Sequence, residues 1–172
     1  MRKVIIAMGS DSDLPVMAGA AQALETLGIG FEIRIVSAHR TPEAAADLAR
    51  NAADRGFGVI IAGAGGAAHL AGVLASHTVL PVIGVPVTSR LSGLDSLLST
   101  VQMPQGIPVA CVAVDGAFNA GLLAAQILAV GDENLTRSIV LYKEKLFSSV
   151  VAKDEEIQKI GYSLYLDKKK QQ

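Results

Sequence analysis

The sequence predicts one α/β domain in which a parallel sheet carries helices on both faces, a three-layer α/β/α sandwich. Short apolar runs rich in valine and isoleucine alternate along the chain with longer stretches whose apolar residues recur at helical spacing. Clusters of glycine, proline or serine follow most of these runs. Alternation of this kind implies right-handed βαβ crossovers, which make consecutive strands parallel. No repeat or linker interrupts residues 1–172, so a single domain is expected.

Five apolar runs predict the strands. The first, residues 4–8, is continuously apolar and ends at Gly9, as in a strand that is buried on both faces. The other four are residues 31–36, 59–62, 82–85 and 109–114. Five parallel strands with helices between them suit a doubly wound, flavodoxin-like sheet.

The predicted helices follow the strands in order. The clearest covers residues 42–55, with Thr41 as N-cap, Pro42 at the first position and Gly56 just past its end. Four others are expected at residues 14–27, 67–76, 94–101 and 119–130. An amphipathic C-terminal segment at about 132–160 predicts a further helix, which we expect to dock onto a neighbouring subunit. The charged tail, residues 167–172, predicts a solvated, flexible end.

Composition excludes several classes of function. The formal net charge is −1, so the chain lacks the excess of positive charge that is typical of proteins that bind nucleic acid or an anionic membrane. Cys111 is the only cysteine, and the N-terminus lacks the pattern of a signal peptide, so we expect a cytoplasmic protein. The three histidines and the cysteine have no metal-ligand spacing, so no metal site is predicted.

One segment is unusual in its lack of charge. No Asp, Glu, Lys or Arg occurs between Arg55 and Arg90, yet glycines and prolines interrupt every apolar stretch before it could span a membrane. A domain of this size is not expected to hide so long a segment entirely within itself. We therefore expect other copies of the chain to cover part of it, in a homo-oligomer.

A binding site is expected where the loops after the strands meet. In open α/β sheets, ligands bind beyond the carboxyl ends of the strands, near the switch in strand order. Four polar or glycine-rich loops converge there, at residues 9–13 (GSDSD), 37–42 (SAHRTP), 63–69 (GAGGAAH) and 86–93 (PVTSRLSG).

The first two loops contain the side chains best suited to bind an anion and move a proton. Ser10 and Asp13 fit a phosphate or sugar contact, or equally a simple cap of the following helix. Arg40 can hold a phosphate through two N–H groups, and the imidazole of His39 can carry a proton in either direction. A half-buried His39 within a capping cluster with Ser37 is the structural alternative.

The third loop can present only backbone groups and small apolar side chains to a ligand, until His69. Its glycines and alanines would suit a dry pocket or, alternatively, close packing, and His69 could be a core or interface histidine. The chain contains no phosphate-binding lysine loop, no dinucleotide fingerprint and no nucleophile elbow. We therefore expect a small polar substrate that carries a phosphate. We expect the reaction to move one proton and to need no cofactor.

These motifs, together with Gly84–Val87 and the segment 95–108 (DSLLSTVQMPQGIP), closely resemble one family, the N5-carboxyaminoimidazole ribonucleotide mutases of purine (IMP) biosynthesis. The resemblance runs from about residue 4 to residue 128. It implies a homo-octamer and a cofactor-independent isomerase that moves a carboxyl group by decarboxylation and recarboxylation. It also implies that His39 is the general acid-base residue. The implied substrate-binding residues are Ser10, Asp13, Ser37, Arg40, Gly65, Gly66, His69 and Leu70.

The chain departs from the family pattern in places. Ala71 replaces an expected proline, the loop at 88–91 is slightly short, and the segment 114–119 is shortened and contains Asp115 instead of small residues and a lysine. We expect this last change to affect ligand contacts at that edge.

Two other functions remain open. Direct carboxylation of aminoimidazole ribonucleotide by carbon dioxide is the nearer, although relatives with that activity carry arginine, serine and asparagine in the third loop. A non-catalytic module that binds flavin or another phosphate ligand is more distant, because the chain has no tryptophan and only three tyrosines.

Overall fold

A computed structural model describes residues 2–170 of the chain. Its sheet has five parallel strands in the order β2-β1-β3-β4-β5, which confirms the predicted doubly wound, flavodoxin-like architecture. The strands are β1 Lys3–Met8, β2 Phe31–Ile35, β3 Phe57–Gly65, β4 Val82–Val87 and β5 Ala110–Cys111. The fifth strand is shorter than the predicted 109–114, because the chain turns beyond Val112 and Gly116 N–H bonds the carbonyl of Ala113.

Seven helices occur among the described residues. They are α1 Leu14–Thr26, α2 Pro42–Arg50, α3 Leu70–Ser76, α4 Leu94–Val101, α5 Ala117–Ala129, α6 Glu133–Ile160 and α7 Tyr162–Lys170. The second helix ends five residues earlier than predicted, because its last turn opens into a series of turns at residues 51–56. None of the helices within residues 2–170 combines the length and hydrophobicity needed to cross a membrane.

The sheet separates two apolar layers. Along β1, Val4, Ile6 and Met8 face one layer, whereas Ile5 and Ala7 face the other, as the alternation of side chains in a strand requires. The first layer is closed by α1 and α5, and the second by α2 and α3. All five residues of β1 from Val4 to Met8 are fully buried, which explains why this run contains no polar residue.

The uncharged segment between Arg55 and Arg90 is largely explained by this sheet. It contains β3 and β4, which occupy central positions and whose residues are mostly buried. Exposed residues remain in the loop after β3, at Ala67 and His69, and in the turn before β4, where Val79 is 93% exposed. A single copy therefore buries more of this segment than the sequence led us to expect.

The C-terminal helices project from the domain. Asp132 caps α6 by accepting a hydrogen bond from the N–H of Leu135 at 3.0 Å, and the first turns of α6 pack on the core through Leu135, Ile139 and Tyr142. Nearly all later residues of α6 are exposed. The helix ends at Gly161, whose φ of +79° breaks it. Helix α7 then turns back, since Lys168 Nζ lies 2.8 Å from Glu156 Oε1.

The predicted C-terminal helix at 132–160 agrees with α6, but α7 was not predicted. Residues 167–170 of the predicted flexible tail form the end of α7, and residues 171–172 lie outside the described part of the chain.

Candidate active site

A cleft of about 450 Å³ opens beyond the carboxyl ends of the central strands. Strand order reverses between β1 and β3, and this is where doubly wound sheets bind ligands. The four loops that follow β1 to β4 all contribute to the wall. The lining residues are Gly9, Ser10, Ser12, Asp13, Ser37, Ala38, His39, Arg40, Ala64, Gly65, Ala67, Leu70, Thr88 and Ser89.

The loop after β1 forms a capped turn that faces the cleft. Ser10 is the N-cap of a 3-10 turn over Asp11–Asp13, and Asp13 Oδ2 accepts a hydrogen bond from the N–H of Ser10 at 3.2 Å. Asp13 is only 9% exposed, and burial raises the pKa of its carboxyl group, although the N–H groups of Ser10 and Gly9 and the charge of Arg40 act in the opposite direction. Ser10 and Asp13 therefore cap the turn and also line the cleft.

The loop after β2 holds Arg40 in place. Ser37 Oγ accepts hydrogen bonds from the backbone N–H of Arg40 at 3.1 Å and from its Nε at 3.4 Å. The Nη2 of Arg40 donates to the carbonyl of Gly9 at 2.7 Å, which ties this loop to the loop after β1. Among the described residues that line the cleft, Arg40 is the one with a permanent positive charge. Its guanidinium group is thus oriented before any ligand binds.

His39 forms a pair with His69. The Nε2 of His39 lies 2.9 Å from the Nδ1 of His69, and the two rings meet edge to face at 79°. One nitrogen must donate and the other accept, so the contact couples the tautomers of the two rings. His39 lines the cleft itself, whereas His69 borders an adjacent cavity between α3 and α4.

Only part of the glycine-rich loop after β3 lines the cleft. Gly65 and Leu70 line the cleft, and Leu70 is 2% exposed. Gly66 does not belong to the lining; its φ of +64° suits glycine, and its carbonyl accepts a hydrogen bond from the N–H of Ala68 at 2.9 Å. Of the nine predicted site residues, Gly66 and His69 are therefore the two outside the cleft wall.

A family profile described as AIR carboxylase matches residues 3–149. The chain belongs to the AIR carboxylase family. This confirms the family resemblance that the motifs predicted. Over 170 residues the chain is 58% identical to "N5-carboxyaminoimidazole ribonucleotide mutase" of Thermotoga maritima, covering 98% of this chain and 99% of the relative.

Two further relatives of this AIR carboxylase family member bear on its fold and function. The chain is 56% identical over 160 residues to "Phosphoribosylaminoimidazole carboxylase, chloroplastic" of Vigna aconitifolia, covering 92% of this chain and 29% of the relative. Among solved structures, that of Treponema denticola PurE superimposes with a TM-score of 0.80 at 32% identity, covering 92% of this chain and 98% of that one.

Sequence reasoning missed three polar side chains of the cleft in this AIR carboxylase family member, Ser12, Thr88 and Ser89. Ser12 follows β1, and Thr88 and Ser89 follow β4, so the convergence of the four loops was the signal that could have found them. Ser89 Oγ donates to Asp95 Oδ2 at 2.5 Å, and this hydrogen bond lowers the pKa of the Asp95 carboxyl group. The backbone N–H and the hydroxyl group of Thr88 donate hydrogen bonds to the carboxylate of Asp115, the acidic residue that departs from the family pattern.

Proposed function

We propose that this AIR carboxylase family member converts N5-carboxyaminoimidazole ribonucleotide to 4-carboxy-5-aminoimidazole ribonucleotide, an isomerisation in de novo purine biosynthesis. The observation that carries the proposal is the 58% identity, over nearly the whole of both chains, to a relative that bears the name of this mutase. A titratable histidine in a cleft at the switch point of the sheet supplies the group that the reaction needs.

The substrate's ribose phosphate would bind between the loops after β1 and β2. Arg40 presents its guanidinium group there, oriented by Ser37 and by the carbonyl of Gly9, and can bind a phosphate. Asp13, when ionised, accepts hydrogen bonds only, so it suits the sugar hydroxyls better than the phosphate. Ser10 would add a hydroxyl contact at the same end. Gly65 and Leu70 would then face the imidazole and its carboxyl group, and Gly66 would support their loop from outside the cleft wall.

His39 would donate one proton to the substrate and later remove a different one. The substrate is a carbamate, and protonation of its nitrogen by His39 lets the carbon–nitrogen bond break, which releases carbon dioxide and aminoimidazole ribonucleotide. The enamine-like ring carbon C4 then attacks the retained carbon dioxide, forming the carbon–carbon bond. The neutral His39 takes the proton from C4 and returns to its starting state. The loop at 64–67, built of glycine and alanine, would help to keep carbon dioxide beside the ring.

The partner of His39 suits this double transfer. A hydrogen bond of 2.9 Å to His69 Nδ1 limits rotation of the His39 ring and fixes the position of Nε2. As His39 gains or loses its proton, the tautomer of His69 can adjust. We therefore assign His39 as the proton carrier and His69 as the residue that orients it.

Direct carboxylation of aminoimidazole ribonucleotide is the second candidate. The family description and the name of the Vigna aconitifolia relative both refer to a carboxylase, although the chain covers only 29% of that relative. The third loop of this chain, residues 64–69 (AGGAAH), favours the mutase. A flavin module is disfavoured because the three tyrosines, Tyr142, Tyr162 and Tyr165, belong to α6 and α7 and none lines the cleft.

We also propose that the chain acts as a cytoplasmic homo-oligomer, an octamer as the family resemblance implies. Two exposed apolar faces support assembly. The first lies beside the cleft on and before α4, with side chains at helical spacing: Leu91, Leu94, Leu98 and Val101. The second follows α6 beyond its contact with the core and includes Leu146, Phe147 and Val150. The C-terminal segment would dock onto a neighbouring subunit through this second face.

Turnover of the pure protein tests the activity directly. N5-carboxyaminoimidazole ribonucleotide is supplied without ATP or bicarbonate, and the 4-carboxylated product is followed beside a His39→Gln variant. Product from the wild type, with a loss of about 10²–10⁴-fold in the variant, supports the mutase and the role of His39. Product formed only from aminoimidazole ribonucleotide and bicarbonate would transfer the chain to the direct carboxylases. No product in either assay would refute both activities.

A further inference from the structure

The wall of the cleft formed by Thr88 and Ser89 is held from outside by two carboxylates. Asp115 Oδ1 accepts a hydrogen bond from the backbone N–H of Thr88 at 2.8 Å, and Asp115 Oδ2 accepts one from Thr88 Oγ1 at 2.6 Å. On the other side, Asp95 accepts a hydrogen bond from the hydroxyl group of Ser89. Neither carboxylate lines the cleft, so each acts on the wall from behind.

Asp115 is attached to the end of β4 at three points. Besides its two side-chain bonds to Thr88, its own backbone N–H donates to the carbonyl of Pro86 at 2.8 Å. These contacts join segments 27 residues apart, the turn after β5 and the loop after β4. Hydrogen bonds to an ionised carboxylate are about twice as strong as neutral ones, so the pair to Thr88 is well suited to hold an exposed loop.

The backbone of Asp115 is adapted to this contact. Its φ is +57°, in the left-handed region that residues other than glycine, asparagine and aspartate seldom adopt. Glycine would suit this conformation at least as well, yet it has no side chain to bind Thr88. Ser92, in the same loop after β4, also has a positive φ, +54°, so a strained loop is held at its start by Asp115.

We propose that Asp115 is a positioning residue for substrate binding, which keeps Thr88 and Ser89 in the cleft wall before the substrate arrives. The inference rests on the proposed function for the identity of the ligand. Without the carboxylate, the loop would have to be ordered during binding, and the fraction of molecules ready to bind would fall. The shortened segment at 114–119 therefore does not leave this edge of the cleft unsupported.

The test compares Asp115→Gly with Asp115→Asn. Both residues tolerate a positive φ, so neither variant strains the turn, but only asparagine retains an oxygen that can accept the N–H of Thr88 and an amide that can donate to its hydroxyl. Two quantities are measured: the Kd of aminoimidazole ribonucleotide by calorimetry, and hydrogen exchange of the amide of Thr88 in the free protein. Thermal unfolding of each variant checks that the fold is intact.

In the glycine variant we expect about a tenfold weaker Kd and about tenfold faster exchange at Thr88, with the asparagine variant within about threefold of wild type in both. A Thr88→Val variant, which loses only the hydroxyl donor, should also exchange faster at the amide of residue 88. Unchanged Kd and exchange in the glycine variant would overturn the proposal, as would equal losses in the glycine and asparagine variants.

The proposed activity and this inference fail separately. Exchange at Thr88 is read in the free protein and needs no turnover, so it reports on the contact even if the wild type proves inactive as a mutase. The mutase assay of the wild-type protein, in contrast, tests the proposed function and does not depend on any variant of Asp115.

Discussion

The pairing of His39 with His69 leads to a sharp prediction about which change at residue 69 the enzyme tolerates. His69 contacts His39 through Nδ1, at 2.9 Å. An asparagine side chain carries its amide near the position of Nδ1, whereas alanine carries nothing there. His69→Asn should therefore retain much of the orientation of His39, and His69→Ala should lose it.

The expected magnitude follows from the contact. A hydrogen bond to a group that is charged during the reaction is worth about 1.5–3 kcal/mol, which corresponds to roughly a 10- to 150-fold loss of kcat/KM in His69→Ala. His39→Gln should cost more, about 10²–10⁴-fold, because the glutamine amide reaches the position of Nε2 but carries no mobile proton. His69→Asn is expected to lie within about tenfold of wild type.

A double-mutant cycle in the mutase assay distinguishes an indirect role from a direct one. If His69 acts only by orienting His39, then adding His69→Ala to the His39→Gln variant should change kcat/KM by less than about twofold. A further loss equal to that of the single His69→Ala variant would refute this reasoning, because it would mean that His69 acts on the substrate independently. Circular dichroism of all variants controls for unfolding.

Three other predictions concern the phosphate site, a buried acid and the assembly. Arg40→Lys removes the forked contacts to Gly9 and Ser37, and we expect about a 10²-fold loss of kcat/KM, seen mainly as a raised KM; an unchanged KM would contradict phosphate binding. Burial raises the pKa of Asp13 above its usual 3.8, so the folded chain holds that proton more tightly and loses stability as the pH rises through the raised pKa. Asp13→Asn should therefore raise the unfolding temperature at pH 7 while lowering activity, and this gain should vanish below about pH 3; a lower unfolding temperature at pH 7 would contradict it. Deleting residues 146–172 should leave a folded domain of smaller assembly in light scattering, and an unchanged assembly would exclude docking through α6.

The fold and the location of the site could be predicted because they depend on local patterns. The run at 4–8 is apolar since β1 is buried on both faces, and the same holds for β4. Parallel strands bring their carboxyl ends to one edge, so the four loops had to converge there whatever the order of the strands. Seven of the nine predicted site residues accordingly line the cleft.

The misses share a different cause, since each depends on contacts between distant segments. Helix α7 was missed because it is short and none of its residues is buried. Its position is set by Gly161 and by the ion pair between Lys168 and Glu156. The short fifth strand likewise reflects the turn that carries Asp115 back to the end of β4. Local sequence patterns do not predict such contacts.

The sequence by itself therefore determined the fold class, the family and the edge of the sheet where chemistry is expected, because periodicity and motifs are properties of neighbouring residues. Only the tertiary structure decided which side chains act together. His39 follows β2 and His69 follows β3, with β1 between those strands, and their 2.9 Å contact depends on how the two loops cross the end of β1. Asp115 reaches Thr88 across 27 residues for the same reason: the sheet aligns β4 with β5, and hydrogen bonds form only where that alignment brings donor and acceptor together.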